Sequence, residues 1–212
     1  KMPIKPKSFR QFKESFAATW QSDIEYTTRY LVDRDIQMDT HRRVMNLDIE
    51  TYMCLDSERA PKPVLSIAAH DNFTDELRVY GWWAHLDTKR TEETMVSPRT
   101  GRDFKVIMHD NEHAFWHEWL EWFQIIRPDI ITGWNVEGFD MAYIVARLQR
   151  MHGNGYPDLS PMLSPYGEKP RAHRKRGSTF VKPTIRGLDI LDLKQAYENL
   201  VGGRRSVNKD GI

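Results

Sequence analysis

The feature that most constrains this chain is the stretch Arg43-Val44-Met45-Asn46-Leu47-Asp48-Ile49-Glu50-Thr51. Apolar and polar residues alternate here with the period of a β-strand, so Met45, Leu47 and Ile49 share one face while Asp48 and Glu50 share the other. The apolar face calls for a core to cover it. The two acids have attachment points roughly 6.5–7 Å apart, and their charges repel unless one takes up a proton or a cation sits between them. Hard oxygen donors with no cysteine or histidine beside them favour Mg²⁺ or Mn²⁺. A solvated strand end whose acids happen to match in parity is the competing reading.

Composition bounds the alternatives. The chain has 212 residues, 40% hydrophobic and 29% charged, which suits a globular protein rather than a disordered one. Its length is enough for one domain with a substantial core. A net charge of +1 gives no overall attraction to nucleic acid, so any such binding has to come from local clustering. A single cysteine, Cys54, excludes an intrachain disulfide framework and points to a reducing compartment with a buried, inert thiol. No apolar run reaches the ~18 residues of a membrane span and no secretory stretch opens the chain, so a cytoplasmic location without membrane contact is expected.

Lys1 to Lys7 reads as an extended entry. Ser8 and Gln11 form a capping-box pattern before a short helix with Phe9, Phe12 and Phe16 on one stripe. Ile24 to Ile36 alternates apolar and charged residues and leads into the acidic strand. After the break at Ala60-Pro61-Lys62-Pro63, the runs Val64–Ala69 and Glu76–Trp83 predict two further strands, making an antiparallel meander of three. Residues 87–102 read as a loop and Phe104–Met108 as another strand. Asn111–Ile126 is a helix with a broad apolar face built on Phe115, Trp119, Leu120, Trp122, Phe123 and Ile126, and Asp110 is placed as its N-cap. His109, His113 and His117 raise a zinc site, but the pattern is not H-E-x-x-H, and a solvated polar helix edge explains them as well.

Asp129–Gly133 predicts a short buried strand, about Phe139–Met151 a helix, Leu188–Leu193 a strand and Lys194–Val201 a short helix before a loosely ordered polar end. Strand and helix alternation after an antiparallel opening implies an α/β fold with a mixed central sheet flanked by helices. Between the last two strands lies a basic segment carrying Lys169, Arg171, Arg174, Lys175, Arg176, Lys182 and Arg186, with Arg174-Lys175-Arg176-Gly177 suited to a hairpin tip. Such a segment is either a solvated face or a contact for phosphates.

Asp140 falls in the first turn of the second helix, after Gly133 and Gly138, where the helix dipole alone would favour an acid. Together with Asp48 and Glu50 it would complete the acidic set that two-metal phosphodiester hydrolysis requires. Asn135 could then orient substrate and Phe139 stack against a base.

Leu47-Asp48-Ile49-Glu50-Thr51 resembles the first exonuclease motif of the family B DNA polymerases, and Asn135-Val136-Glu137-Gly138-Phe139-Asp140 resembles the second, N-x-x-x-F-D. The run from Ile131 through Tyr143 and Asp110-Asn111-Glu112 are most similar to the T-even-type bacteriophage members, and the similarity extends with gaps from about Tyr30 to Ala196. The resemblance implies an RNase H-like exonuclease domain at 41–212, preceded over 1–40 by the end of an N-terminal domain. It implies 3′–5′ proofreading of a primer end, with Asp48, Glu50 and Asp140 as the catalytic, metal-binding acids and Mg²⁺ or Mn²⁺ as the two ions. Thr51, Asn135, Phe139, Arg174, Lys175 and Arg176 would contact DNA, the basic segment corresponding to a strand-separating β-hairpin insertion. The implied partners are single-stranded DNA or a primer 3′ end, the remaining polymerase segment, a sliding clamp and other replisome proteins. The third motif, Y-x-x-x-D, finds no match, because Val201 stands four residues after Tyr197. The chain is therefore expected to be incomplete at its C-terminus, an excised fragment or a piece of a split polymerase. The alternatives are a catalytically incomplete DNA-binding module of the same fold, or an unrelated RNase H-like nuclease. Asp189 and Asp192 on the late strand could be proposed as replacements for the missing acid, but the resemblance implies that Asp192 is a structural or substrate-proximal acid rather than a ligand.

Overall fold

Arg42 opens a unit that runs to Ile212, and the computed structural model describes residues 41–174 and 181–207. The expectations for the capping box at Ser8, the Phe9–Phe16 stripe and the Ile24–Ile36 alternation lie outside the described residues. Among the described residues, nine strands and three α-helices follow in the order β1 (Val44–Thr51), β2 (Val64–Asp71), β3 (Glu76–Trp82), β4 (Arg90–Val96), β5 (Asp103–His109), α1 (Glu112–Ile126), β6 (Ile130–Gly133), α2 (Asp140–Gly153), β7 (Arg171–Arg174), β8 (Val181–Thr184), β9 (Asp189–Asp192) and α3 (Leu193–Val207). A 3₁₀ turn, Ser160–Leu163, lies between α2 and β7.

Seven strands form one mixed sheet in the order β4-β5-β3-β2-β1-β6-β9. The predicted meander is present, with β1, β2 and β3 antiparallel in turn. β5 then joins β3 in parallel, and on the other side β1, β6 and β9 run parallel. This is an α/β architecture of the kind the alternation of elements implied. β7 and β8 pair only with each other, as a separate hairpin.

The alternation in β1 resolves as expected. Met45, Leu47 and Ile49 are buried, whereas Asn46, Asp48 and Glu50 are exposed on the opposite face. The buried face meets Ile67 and Ala69 of β2, Tyr80 of β3 and Ile107 of β5, and is covered by Phe115, Trp116, Trp119, Leu120 and Phe123 of α1 with Met141, Ile144 and Leu148 of α2. Four of the large aromatic side chains in this layer (Trp116, Trp119, Tyr143 and Phe115) are fully buried. Aromatic burial on this scale contributes a large apolar area to holding the helices on the sheet.

Three expectations need correcting. Residues 87–102 are not a loop: β4 occupies Arg90–Val96 and returns through a turn closed by Ser97 N–H on the Arg102 carbonyl (2.9 Å), with Gly101 at φ 69°. β4 is an edge strand, polar and largely exposed on both faces, so it lacks the apolar alternation that reveals a strand. The N-cap of α1 is Asn111 rather than Asp110, its Oδ1 accepting from Ala114 N at 2.8 Å. A capping oxygen must reach an N–H two or three residues on, and Asn111 has that reach. Finally, α3 continues to Val207 instead of ending at Val201. Gly202 and Gly203 weaken a helix by about 1 kcal/mol each but do not forbid one. No helix among the described residues is long and apolar enough to cross a membrane.

An ion pair locks α1 to α2. The Arg147 guanidinium donates to both oxygens of Glu112, at 2.8 and 2.6 Å, and Glu112 also accepts from Trp116 Nε1 (3.2 Å) and Val64 N (3.3 Å). Both side chains are only 12% exposed. Removing one member strands a desolvated charge, so Glu112→Ala should cost about 3–5 kcal/mol of unfolding free energy, read by urea denaturation. Close packing also fixes Gly133, where a Cβ would lie 2.4 Å from the Leu47 carbonyl oxygen. Gly133→Ala should destabilise the domain by about 1–3 kcal/mol in the same measurement, through forced separation of β6 from β1.

Candidate functional site

The exposed face of β1 presents Asp48 opposite Ala68 and Glu50 opposite Ser66 of β2. Small neighbours leave both carboxylates open to solvent. Thr51 closes the strand, its hydroxyl donating to the Cys54 carbonyl at 3.0 Å, and Cys54 is half-buried with a free thiol. Beside Asp48 lies an open groove of about 290 Å³, walled by Leu77, Trp134 and Leu193 with Asn46 and His70 along it. Its apolar walls and acidic margin suit a flat, partly apolar group such as a nucleobase and sugar.

The third acid comes from the other side of β1. β6 pairs with Val44–Asn46 only, so among the described residues no strand pairs with the edge of β1 beyond Asn46. The chain leaves β6 at Gly133, and Asn135 takes a left-handed φ of 60°, a conformation that asparagine tolerates better than most residues. The Phe139 N–H then donates to the Asn135 carbonyl (2.8 Å) and the Met141 N–H to that of Val136 (2.9 Å). This tight turn delivers Asp140 as the first residue of α2, with Phe139 half-buried against Tyr143, ring centroids 5.6 Å apart. Asp140 is 3% exposed, and its Oδ1 accepts the N–H of Ile49, the residue between Asp48 and Glu50, at 3.0 Å.

Burial pushes the Asp140 carboxyl up to about 7, the negative charges of Asp48 and Asp192 adding to the effect and the Ile49 N–H opposing it. The structure thus brings Asp48 and Asp140 into one electrostatic neighbourhood, with Glu50 on the Asp48 face two residues on. Among the described residues no three Asp, Glu, His or Cys side chains form a cluster ready to hold a metal ion. The donor set nonetheless fits a hard divalent cation: oxygen ligands only, one of them a carboxyl driven toward protonation by burial, with acidic neighbours adding to the effect.

Asp192, at the end of β9, has a different job. Its Oδ1 accepts from the N–H groups of Lys194 (2.9 Å), Asn135 (3.2 Å) and Gln195 (3.3 Å), and its Oδ2 from that of Glu137 (3.1 Å). It caps α3 and holds the loop before Asp140. Glu137, which the sequence reading passed over, is buried and pairs with Lys182 of β8 at 2.5 Å. A charge between two glycines reads as solvated loop, and only the fold reveals its partner. The hairpin expected in the basic segment is present, with Arg174 ending β7; Lys175 and Arg176 lie outside the described residues. The histidines do not converge. His113 stacks on Tyr156 (5.3 Å between centroids, 23° between planes), His117 faces Glu121 at 3.4 Å, and His109 is buried beside Glu118 at 3.1 Å rather than on a solvated edge.

The sequence model of a family described as DNA polymerase family B, exonuclease domain, matches residues 40–201. The DNA-directed DNA polymerase of Escherichia phage RB69 is 28% identical over 202 residues, covering 82% of this chain and 21% of that protein. The DNA-directed DNA polymerase of Enterobacteria phage T4 is 28% identical over 196 residues, covering 85% and 20%. The DNA polymerase delta catalytic subunit of Bos taurus is 32% identical over a shorter segment of 59 residues, 28% of this chain and 5% of that protein. The chain thus spans about a fifth of the length of the phage relatives it matches.

The raised Asp140 carboxyl has a measurable consequence. Between its ordinary value of 3.8 and its folded value of about 7 the folded state holds a proton that the unfolded chain has released. Stability should therefore fall as pH rises from about 4 to about 7 and level off above. Asp140→Asn keeps an acceptor for Ile49 N–H but cannot ionise, so urea unfolding should find it more stable than the parent at pH 8, with the gain shrinking at pH 5.

Proposed function

The chain belongs to the exonuclease domain of the family B DNA polymerases, and we propose that it removes nucleotides from the 3′ end of single-stranded DNA, as the proofreading portion of a replicative polymerase. The observation that carries this reading is the junction of α2 with β1, where the Asp140 carboxylate meets the N–H of the residue between Asp48 and Glu50. Three acids drawn from a rigid strand and a helix start suit metal-assisted hydrolysis of a phosphodiester.

In this reading Asp48, Glu50 and Asp140 hold divalent ions, Mg²⁺ or Mn²⁺. When bound, such ions supply activation of the attacking water and stabilisation of the leaving oxygen. Hydrolysis adds water across the terminal P–O3′ bond and leaves a nucleoside 5′-monophosphate and a new 3′ hydroxyl. Asp140 contributes in its ionised form, and compensating positive charge would lower its carboxyl from its raised value. Phe139, at the turn into α2, stacks against the terminal base, and Asn135 orients the substrate. Thr51 and the basic hairpin with Arg174, Lys175 and Arg176 contact the strand upstream. The remaining polymerase segment, and through it a sliding clamp and other replisome proteins, would bring the primer end to this site.

A second reading, a DNA-binding module without catalysis, is favoured by Val201, which occupies the position where a Y-x-x-x-D pattern starting at Tyr197 would need its acid. One assay separates the two. A 5′-labelled single-stranded oligonucleotide with Mn²⁺ should be shortened stepwise from its 3′ end by the parent chain. Asp48→Ala and Asp140→Asn should each lower the rate at least 100-fold, and a chelator should abolish it. Shortening that Asp48→Ala leaves intact would overturn the site assignment. Retention of the oligonucleotide without shortening, in the parent and both variants, would favour the binding module.

A further inference from the structure

We propose that the Glu137–Lys182 ion pair is a latch that positions the basic hairpin on the loop leading to Asp140, and so sets how tightly the DNA strand is held at the acidic site. The proposal rests on the exonuclease reading for its substrate, and on the following geometry for the latch itself.

The hairpin of β7 and β8 is no part of the main sheet. Its base is anchored below β8 by Ile185 and Leu188, both buried, and by Ser164 Oγ donating to the Arg186 carbonyl at 2.8 Å. Higher up, Lys182 Nζ meets Glu137 Oε1 at 2.5 Å, and this is the one ion pair joining the hairpin strands to the 134–139 loop among the described residues. The two partners differ sharply in exposure, 58% for Lys182 and 10% for Glu137. An acid that buried needs a partner, since it pays a desolvation penalty that solvent cannot relieve. The lysine is therefore held by the loop, rather than the loop by the lysine.

The loop end of the pair is rigid. Glu137 N–H donates to Asp192 Oδ2, Asn135 N–H donates to Asp192 Oδ1, and three residues after Glu137 the chain places Asp140 on Ile49 N–H. The hairpin end carries the positive charge: Arg171 is exposed at the start of β7, and Arg174 follows at its end. Lys169 and Arg186 nearby are already engaged, by Asp158 at 2.7 Å and by Glu168. The latch thus couples a cationic arm to the loop that bears the catalytic acid. Losing it frees the arm without touching Asp48, Glu50 or Asp140, which predicts weaker capture of the strand with a smaller change in the chemical step.

Four variants test this: Glu137→Gln, Lys182→Met, Lys182→Arg and the charge exchange Glu137→Lys with Lys182→Glu. Amide hydrogen exchange across 171–174 and 181–184 needs no DNA and reads the latch alone. It should quicken about tenfold in Glu137→Gln and Lys182→Met, and return toward the parent in Lys182→Arg and in the exchange. Anisotropy of a labelled single-stranded oligonucleotide in chelator needs no cleavage. It should show a Kd raised about five- to tenfold in the first two variants and restored in Lys182→Arg. In the exonuclease assay KM should rise by a similar factor, with less change in kcat. Unchanged exchange in both broken-latch variants overturns the latch, whatever the nuclease does. Faster exchange with unchanged Kd overturns its role in holding DNA. If the parent chain binds the oligonucleotide but does not cleave it, the exonuclease reading fails while the exchange and anisotropy arms still decide the latch.

Discussion

β1 outruns its neighbour. β6 pairs with it only as far as Asn46, and among the described residues no strand pairs with that edge of β1 from Leu47 onward. A buried backbone donor left without a partner costs about 1–3 kcal/mol, so this edge has to be closed by something else. At Ile49 the N–H is taken by Asp140, and nearby the backbone of Gly133 lies so close to the Leu47 carbonyl oxygen that no side chain fits between them. The hydrogen bond that completes the sheet is the same one that sets an acid between Asp48 and Glu50. One carboxylate thus meets a structural requirement and, in the proposed site, a chemical one.

The turn that carries Asp140 there is braced from β9 by Asp192, which accepts two of its backbone N–H groups, while Glu137 pairs outward with Lys182 of the hairpin. Since Asp192 also caps α3, the final helix and the loop before Asp140 share one anchor. Displacing β9 or α3 would therefore be felt at Asp140, although neither element contributes an acid to the proposed set. The Arg147–Glu112 pair serves the same end at longer range, because it fixes the body of α2 against α1 and so limits how far the first turn of α2 can move.

How much of this could be read beforehand depended on whether a residue's neighbours are near in sequence. The parity of β1 is local, and Asp48 and Glu50 fall on the face that alternation assigned to them. The apolar stripe of α1 is local too. Edge strand β4 was invisible because it buries almost nothing, so its residues carry no periodic signal. The choice of Asn111 over Asp110 as cap turned on a one-residue register that pattern alone does not fix. Asp140 could be read as a helix-start acid, and the dipole explanation was available. What sequence could not supply was its 3% exposure and its bond to a strand about ninety residues earlier in the chain. Glu137 was overlooked for a related reason, since its partner lies on a hairpin forty-five residues later.

The acids around this junction differ in how well they are satisfied, and that difference sorts their roles. Asp192 accepts four backbone N–H groups, which consume its lone pairs and commit it to the fold. Asp140 accepts one from Ile49, with help from its own N–H, and is otherwise surrounded by burial and negative charge, so its ionised form is under-compensated. Asp48 and Glu50 lie open to solvent and keep their oxygens available. A cation entering here would gain least from Asp192 and most from Asp140, whose charge has the fewest other sources of stabilisation. The same reasoning explains why proximity alone does not make a ligand: Asp192 is close enough to raise the Asp140 carboxyl, yet its oxygens are already taken. In the proposed site, the choice of three acids from four follows from hydrogen-bond saturation, a property fixed by the loop and helix starts around it.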